Sequence, residues 1–159
     1  MYLAFKTIHL FCVVLFLGNI ISGVFWKLRA DRTRDPRIIR HVIEGVISSD
    51  RLFTIPGVIG ITVFGMGAAG MGDLPMLRTG WVFWSLMLFI LSGVAFMVQL
   101  VPLQRKLAAV AREGAAGEAM DWAAYEALSR RWKFWGAVAL LAPVLVMILM
   151  VLKPVLPGI

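Results

Sequence analysis

The sequence predicts an all-α integral membrane protein, a four-helix bundle with its N- and C-termini on the outer, periplasmic side. Three observations predict it. Four apolar runs are each long enough to cross a ~30 Å hydrocarbon core at ~1.5 Å rise per residue. Apolar residues make up 60% of the 159-residue chain and charged residues only 16%, against roughly 45–50% and 25% for a soluble domain. Basic residues gather at two of the three connections between the runs.

The first run, Tyr2 to Trp26, is almost unbroken. It is too long for the apolar core of a cleaved leader, and a basic segment follows where a small-residue cleavage site would stand. It is therefore expected to remain in the mature protein. A basic connection holds Lys27, Arg29, Arg32, Arg34 and Arg37, against Asp31 and Asp35. Asp35-Pro36 reads as an N-cap followed by proline at the first helical position. From Arg37 to Arg51 the pattern is amphipathic, with Ile38, Ile39, Val42, Ile43, Val46 and Ile47 at helical spacing. This segment is expected to lead from the cytoplasmic interface into the second span. Pro56-Gly57 predicts a kink there.

The second helix closes on GMGAAGMGDLP. Gly65, Gly67 and Gly70 formally fit the dinucleotide fingerprint GxGxxG, but that motif needs a strand before it and a helix after it. Close helix packing is the better use of these glycines. Gly18 and Ser22, like Gly65 and Ala69, have small-xxx-small spacing and are expected to face other helices. Asp73, Pro75 and Arg78 mark a short loop. The third helix opens with Trp81 and Trp84 as an interfacial belt and continues past Pro102. A small polar loop over 113–121 ends at Asp121, a second candidate N-cap. The fourth helix is expected to be broken by Pro143 and to end at Lys153-Pro154. The spans thus cover about 3–26, 52–70, 79–103 and 134–152 of a single domain, with helices two, three and four extended into the cytoplasm. Only Lys6, Arg78 and Lys153 lie on the side away from the basic connections, so the positive-inside rule sets the orientation and points to the cytoplasmic (inner) membrane.

The net charge of +7 comes from residues that flank apolar runs. That arrangement fits anionic lipid heads, with no aromatic-basic surface for nucleic acid. One cysteine precludes an intrachain disulfide framework.

The candidate site lies on the first helix. Phe5, His9, Cys12, Phe16, Ile20 and Gly23 share one face. An ionisable group at membrane depth is a functional candidate by default, and a neutral imidazole ligates haem iron or another metal. The competing reading is that His9 hydrogen-bonds a neighbouring helix and Cys12 is a small hydrophobe. Lys6, one turn outward, is placed to meet a propionate, and Trp81 and Trp84 to wall the pocket. Lys6 as a snorkelling cation and the tryptophans as lipid anchors are the alternatives. Met66, Met71, Met147 and Met150 are candidate partners for His9, either as an axial haem ligand or in a Cu(I) site. They also serve as ordinary core filler. His41, the only other histidine, belongs to the cytoplasmic end, while His9 lies ~25 Å along its helix from Trp26. The two cannot share one iron. Asp50-Arg51 is expected to be a paired or snorkelling interfacial couple, and Gln99 to bond a neighbouring helix.

The order Lys6-x-x-His9, Gly18, Asp50, Pro56-Gly57, Trp84-Ser85, Ser92-Gly93, Pro102-Leu103-Gln104 and Trp132 resembles a bacterial family of four-helix membrane proteins, domain of unknown function 2269. More distantly the chain is similar to J-type protoporphyrinogen oxidases, in the early histidine of helix one and the apolar run closed by Lys153-Pro154, and to copper-resistance D membrane proteins. It departs from the J-type pattern in helix three, which has no lysine before Lys106. The J-type likeness implies a haem-associated membrane oxidoreductase. The leading expectation is therefore a b-type haem or porphyrin-binding redox protein ligated through His9. The alternatives are a copper-handling protein using His9 and the methionines, and a non-catalytic subunit of a larger membrane complex or homo-oligomer.

Overall fold

The computed structural model describes residues 1–117 and 119–158, which form six α-helices, two π-helical turns and no strand among the described residues. Helix α1 is Tyr2–Thr33, α2 is Pro36–Ser49, α3 is Ile55–Met71, α4 is Gly80–Val94, α5 is Val101–Ala115 and α6 is Trp122–Leu152. The π-turns, Asp50–Thr54 and Ala95–Leu100, join α2 to α3 and α4 to α5 without a break. Four continuous helices result, of 32, 36, 36 and 31 residues, each apolar enough to cross a membrane.

The caps follow the sequence. Asp35 accepts the Arg37 N–H at 2.8 Å, with Pro36 at the first helical position. Asp121 accepts the Ala124 N–H at 2.9 Å. The loop predicted over 113–121 is shorter, because α5 runs to Ala115; its residue 118 lies outside the described residues.

The proline expectations change. The irregularity near Pro56 is the π-turn that immediately precedes it, and Pro102 follows a second π-turn in the same way. A proline offers no N–H to the carbonyl a turn earlier and its ring crowds that carbonyl. A π-turn moves the misfit into one wider turn. Pro143 does not break α6. The carbonyl that loses its partner there is that of Ala139, and Ser92 on α4 donates to it at 2.8 Å.

Helices of 36 residues are ~54 Å long, about 24 Å more than a hydrocarbon core needs. The excess is at the basic end, where amphipathic α2 and α5 pack together and against α1 and α6. There the core is built of Ile39, Ile43, Leu103, Leu107, Ala108, Ala111, Tyr125 and Trp132. At the opposite, terminal end the bundle divides into two pairs, α1 on α3 and α4 on α6. Lipid tails are as apolar as leucine, so these pairs rely on close packing rather than on the hydrophobic effect.

The α1–α3 contact shows this. A Cβ at Gly65 would lie 2.9 Å from the His9 ring, one at Gly67 2.5 Å from the Phe5 ring, and one at Gly60 2.5 Å from the Cys12 sulfur. Gly65 and Gly67, read as packing residues, therefore seat the face of α1 read as a candidate site, whereas Gly70 is exposed and a Cβ there meets nothing within 4 Å. Gly18 and Ser22 correct the other expectation: both are exposed, and a Cβ at Gly18 meets nothing within 4 Å. Gly18→Leu is expected to leave thermal stability in detergent unchanged or slightly raised, since leucine is the better helix former. Gly65→Leu, overpacking the His9 contact, is expected to cost about 1–3 kcal/mol. Equal melting of the two variants would refute this assignment of faces.

Candidate functional site

His9 lies half-buried where α1 meets α3, and its Nδ1 is 2.9 Å from the Ile61 carbonyl oxygen. A carbonyl only accepts, so Nδ1 carries the proton and donates. In the neutral ring Nε2 is then the lone-pair nitrogen. Nε2 has no hydrogen-bond partner among the described residues and is not one of the buried orphan atoms, so it remains accessible. An imidazole whose far nitrogen is fixed by a backbone carbonyl is the usual arrangement of a metal-ligating histidine. Around it, Phe5 meets Phe64 edge-on with centroids 5.5 Å apart. Phe16, two turns deeper, meets Phe89 of α4 at 6.0 Å.

The remaining expected site residues are dispersed. Lys6 is exposed, with its ammonium 6.0 Å from the Tyr2 ring centre. Trp81 and Trp84 belong to the α4–α6 pair and engage the C-terminal segment. Lys153 lies 5.5 Å from the Trp81 ring, and the Trp84 indole N–H donates to the Pro157 carbonyl at 3.2 Å. Met66 and Met71 are exposed on α3, while Met147 is exposed and Met150 half-buried on α6. Helices α3 and α6 do not pack together, so the four thioethers fall on separate helix pairs. His41 is exposed on α2.

Two polar networks were not foreseen. In the first, the Asp50 carboxylate is buried at the start of a π-turn. It accepts from Gln104 at 2.8 Å, from Thr54 at 2.8 Å and from Asn19 at 3.3 Å, and Asn19 also donates to Thr54 at 2.9 Å. The expected Asp50-Arg51 couple does not form, since Arg51 is exposed and makes no ion pair among the described residues. The bonding glutamine is Gln104 rather than Gln99. The signal available in the sequence was a carboxylate and a hydroxyl one turn apart on one span, Asp50 and Thr54, with an amide toward the inner end of each of two others, Asn19 and Gln104.

The second network lies beyond the apolar run of α1. Lys27, expected at the lipid heads, is fully buried. Its ammonium donates to Asp31 at 2.6 Å and to the Ser129 hydroxyl, and lies 4.9 Å from the Trp132 ring centre. Asp31 also accepts from Tyr125 at 2.6 Å and from Ser129 at 3.0 Å. Burial pushes the Lys27 pKa down, opposed by the Asp31 bond. Burial, then Asp31, pushes that of Tyr125 up.

Fold and site define the class: a multi-pass integral membrane protein of four spanning helices, held in a lipid bilayer. The chain belongs to the DUF2269 family of predicted integral membrane proteins, whose family model matches residues 3–154. No curated protein and no solved structure matches it.

Proposed function

We propose that this protein binds haem b through His9 and has a redox role in the cytoplasmic membrane. One observation carries the reading: the His9 ring is held by the Ile61 carbonyl with Nε2 unpaired and accessible. The donor set fits an axial nitrogen ligand, while the four thioethers are divided between two helix pairs and do not converge on one copper site. For the same reason copper handling has less support. Bound haem would supply one-electron chemistry. The protein's own part is to fix the imidazole tautomer through Ile61, to keep the ring upright against Gly65, and to shield it with Phe5 and Phe64 in a water-poor setting.

The test is an absorption spectrum of protein purified from haem-replete cells, with His9→Ala beside it. The parent is expected to show a Soret band that the variant lacks, while both give the same helical circular dichroism. A colourless parent that also fails to take up added haemin would end the proposal.

The orientation proposed is termini outward and basic end in the cytoplasm, on the charge asymmetry. In a Cys12→Ala background, single cysteines at Arg34 and Ala116 are expected to react only from the cytoplasm, and one at Asp73 only from outside. The reverse pattern would invert the topology.

A further inference from the structure

At the basic end, between the C-terminal turns of α1 and the first turns of α6, lies a hollow of about 230 Å³. Asp31, Arg34, Trp122, Glu126, Arg130 and Lys133 line it, with Tyr125 and Ser129. Its acidic groups are already engaged. Asp31 is held by Lys27, Tyr125 and Ser129, and Glu126 receives Arg34 at 2.7 Å. Arg34 in turn lies 5.4 Å from the Trp122 ring centre.

What remains is positive. Arg130 makes no ion pair among the described residues, and Lys133 stands 3.7 Å from an Asp31 oxygen that two shorter contacts occupy. Four cations, Lys27, Arg34, Arg130 and Lys133, thus face two carboxylates. Arg130 and Lys133 are three residues apart, hence neighbours on one face of α6. The depth is equally specific: Lys133 is followed at once by the apolar run beginning at Phe134. A hollow with two unbalanced cations at the edge of the hydrocarbon, beside a tryptophan, has the chemistry of a headgroup site.

We propose that this hollow binds the phosphodiester of an anionic phospholipid, with Arg130 and Lys133 as the phosphate ligands and Trp122 as a flanking wall. The proposal is independent of haem at His9. The excess of two positive charges favours a headgroup with net negative charge over a zwitterionic one with the same phosphate. A free phosphate ion offers the charge without the acyl chains that the neighbouring apolar run would cover.

The experiment is native mass spectrometry of the intact protein released from detergent, titrated with phosphatidylglycerol, phosphatidylcholine or inorganic phosphate. Phosphatidylglycerol is expected to form a saturable 1:1 adduct, at least tenfold tighter than phosphatidylcholine, that equal inorganic phosphate does not displace. Arg130→Ala/Lys133→Ala should weaken that adduct at least tenfold. Arg105→Ala/Lys106→Ala, an equal charge loss at exposed positions of α5, should not. If the first pair fails to fold, Arg130→Gln/Lys133→Gln repeats the test with a polar, uncharged side chain that keeps part of the stem. Equal loss in both pairs, or no loss in either, overturns the site. Displacement by inorganic phosphate overturns the lipid as its occupant.

Discussion

Replacing Asp31 with alanine is expected to destabilise the protein by about 3–5 kcal/mol, the usual cost of stranding one member of a buried ion pair. The Lys27 ammonium is fully buried, and Asp31 is its only anionic partner among the described residues. Without Asp31 the ammonium keeps the Ser129 hydroxyl and the ring faces of Tyr125 and Trp132. Those contacts do not offset the charge. Tyr125 and Ser129 lose their acceptor as well, and Lys133 becomes a like-charge neighbour with nothing between. The double variant Lys27→Met/Asp31→Leu removes both charges from a site walled by aromatic rings and should regain most of the loss. Thermal unfolding in detergent, followed by circular dichroism over the full cycle of single and double variants, measures the coupling. A single Asp31→Ala variant within about 1 kcal/mol of the parent would show that Lys27 is not held as described.

The spans and their caps were legible because they rest on local chemistry. A run of twenty apolar residues, an aspartate before a proline, and an aspartate before Trp122 each act within a few positions. The glycine contact was half legible: Gly65 and Gly67 read as packing residues, but their partners His9 and Phe5 lie more than fifty residues away. Gly18 has the same spacing signature and meets nothing. In an all-apolar helix, lipid-facing and protein-facing positions carry the same residue types, so periodicity does not tell them apart. Lys27 was read as a lipid-head residue because flanking lysines usually are. Its burial depends on Ser129 and Trp132 of α6, which no local pattern announces. The π-turns were visible only through their causes, Pro56 and Pro102. His9 was legible as a candidate but not its tautomer, which the Ile61 carbonyl sets across 52 positions.

Asp50 gives the second large effect, and hydropathy alone predicts its sign wrongly. At the inner edge of a membrane span, Asp50→Leu exchanges a carboxylate for an apolar side chain, which a transfer scale scores as a gain. The network predicts a loss. Gln104, Thr54 and Asn19 all direct donors at this one carboxylate. Leucine would leave buried donors without an acceptor, at about 1–3 kcal/mol each where no alternative partner is in reach. Thr54 has an escape, since a hydroxyl can turn back on a helix carbonyl. Asn19 keeps the Thr54 hydroxyl as its acceptor, which leaves the Gln104 amide stranded, and the expected cost is about 1–3 kcal/mol. Asp50→Asn should cost only about 1 kcal/mol. It keeps one acceptor oxygen for Thr54 and Asn19, and Gln104 can turn its amide to receive the new N–H. The network ties α1, the first π-turn and α5 together just where the bundle divides into two helix pairs. Its loss should therefore be felt first at the terminal end. Hydrogen exchange in α3 and α4 is expected to accelerate in Asp50→Leu, while that of the α2–α5 core changes less. An Asp50→Leu protein that melts at or above the parent temperature would show that these hydrogen bonds do not hold the two pairs together.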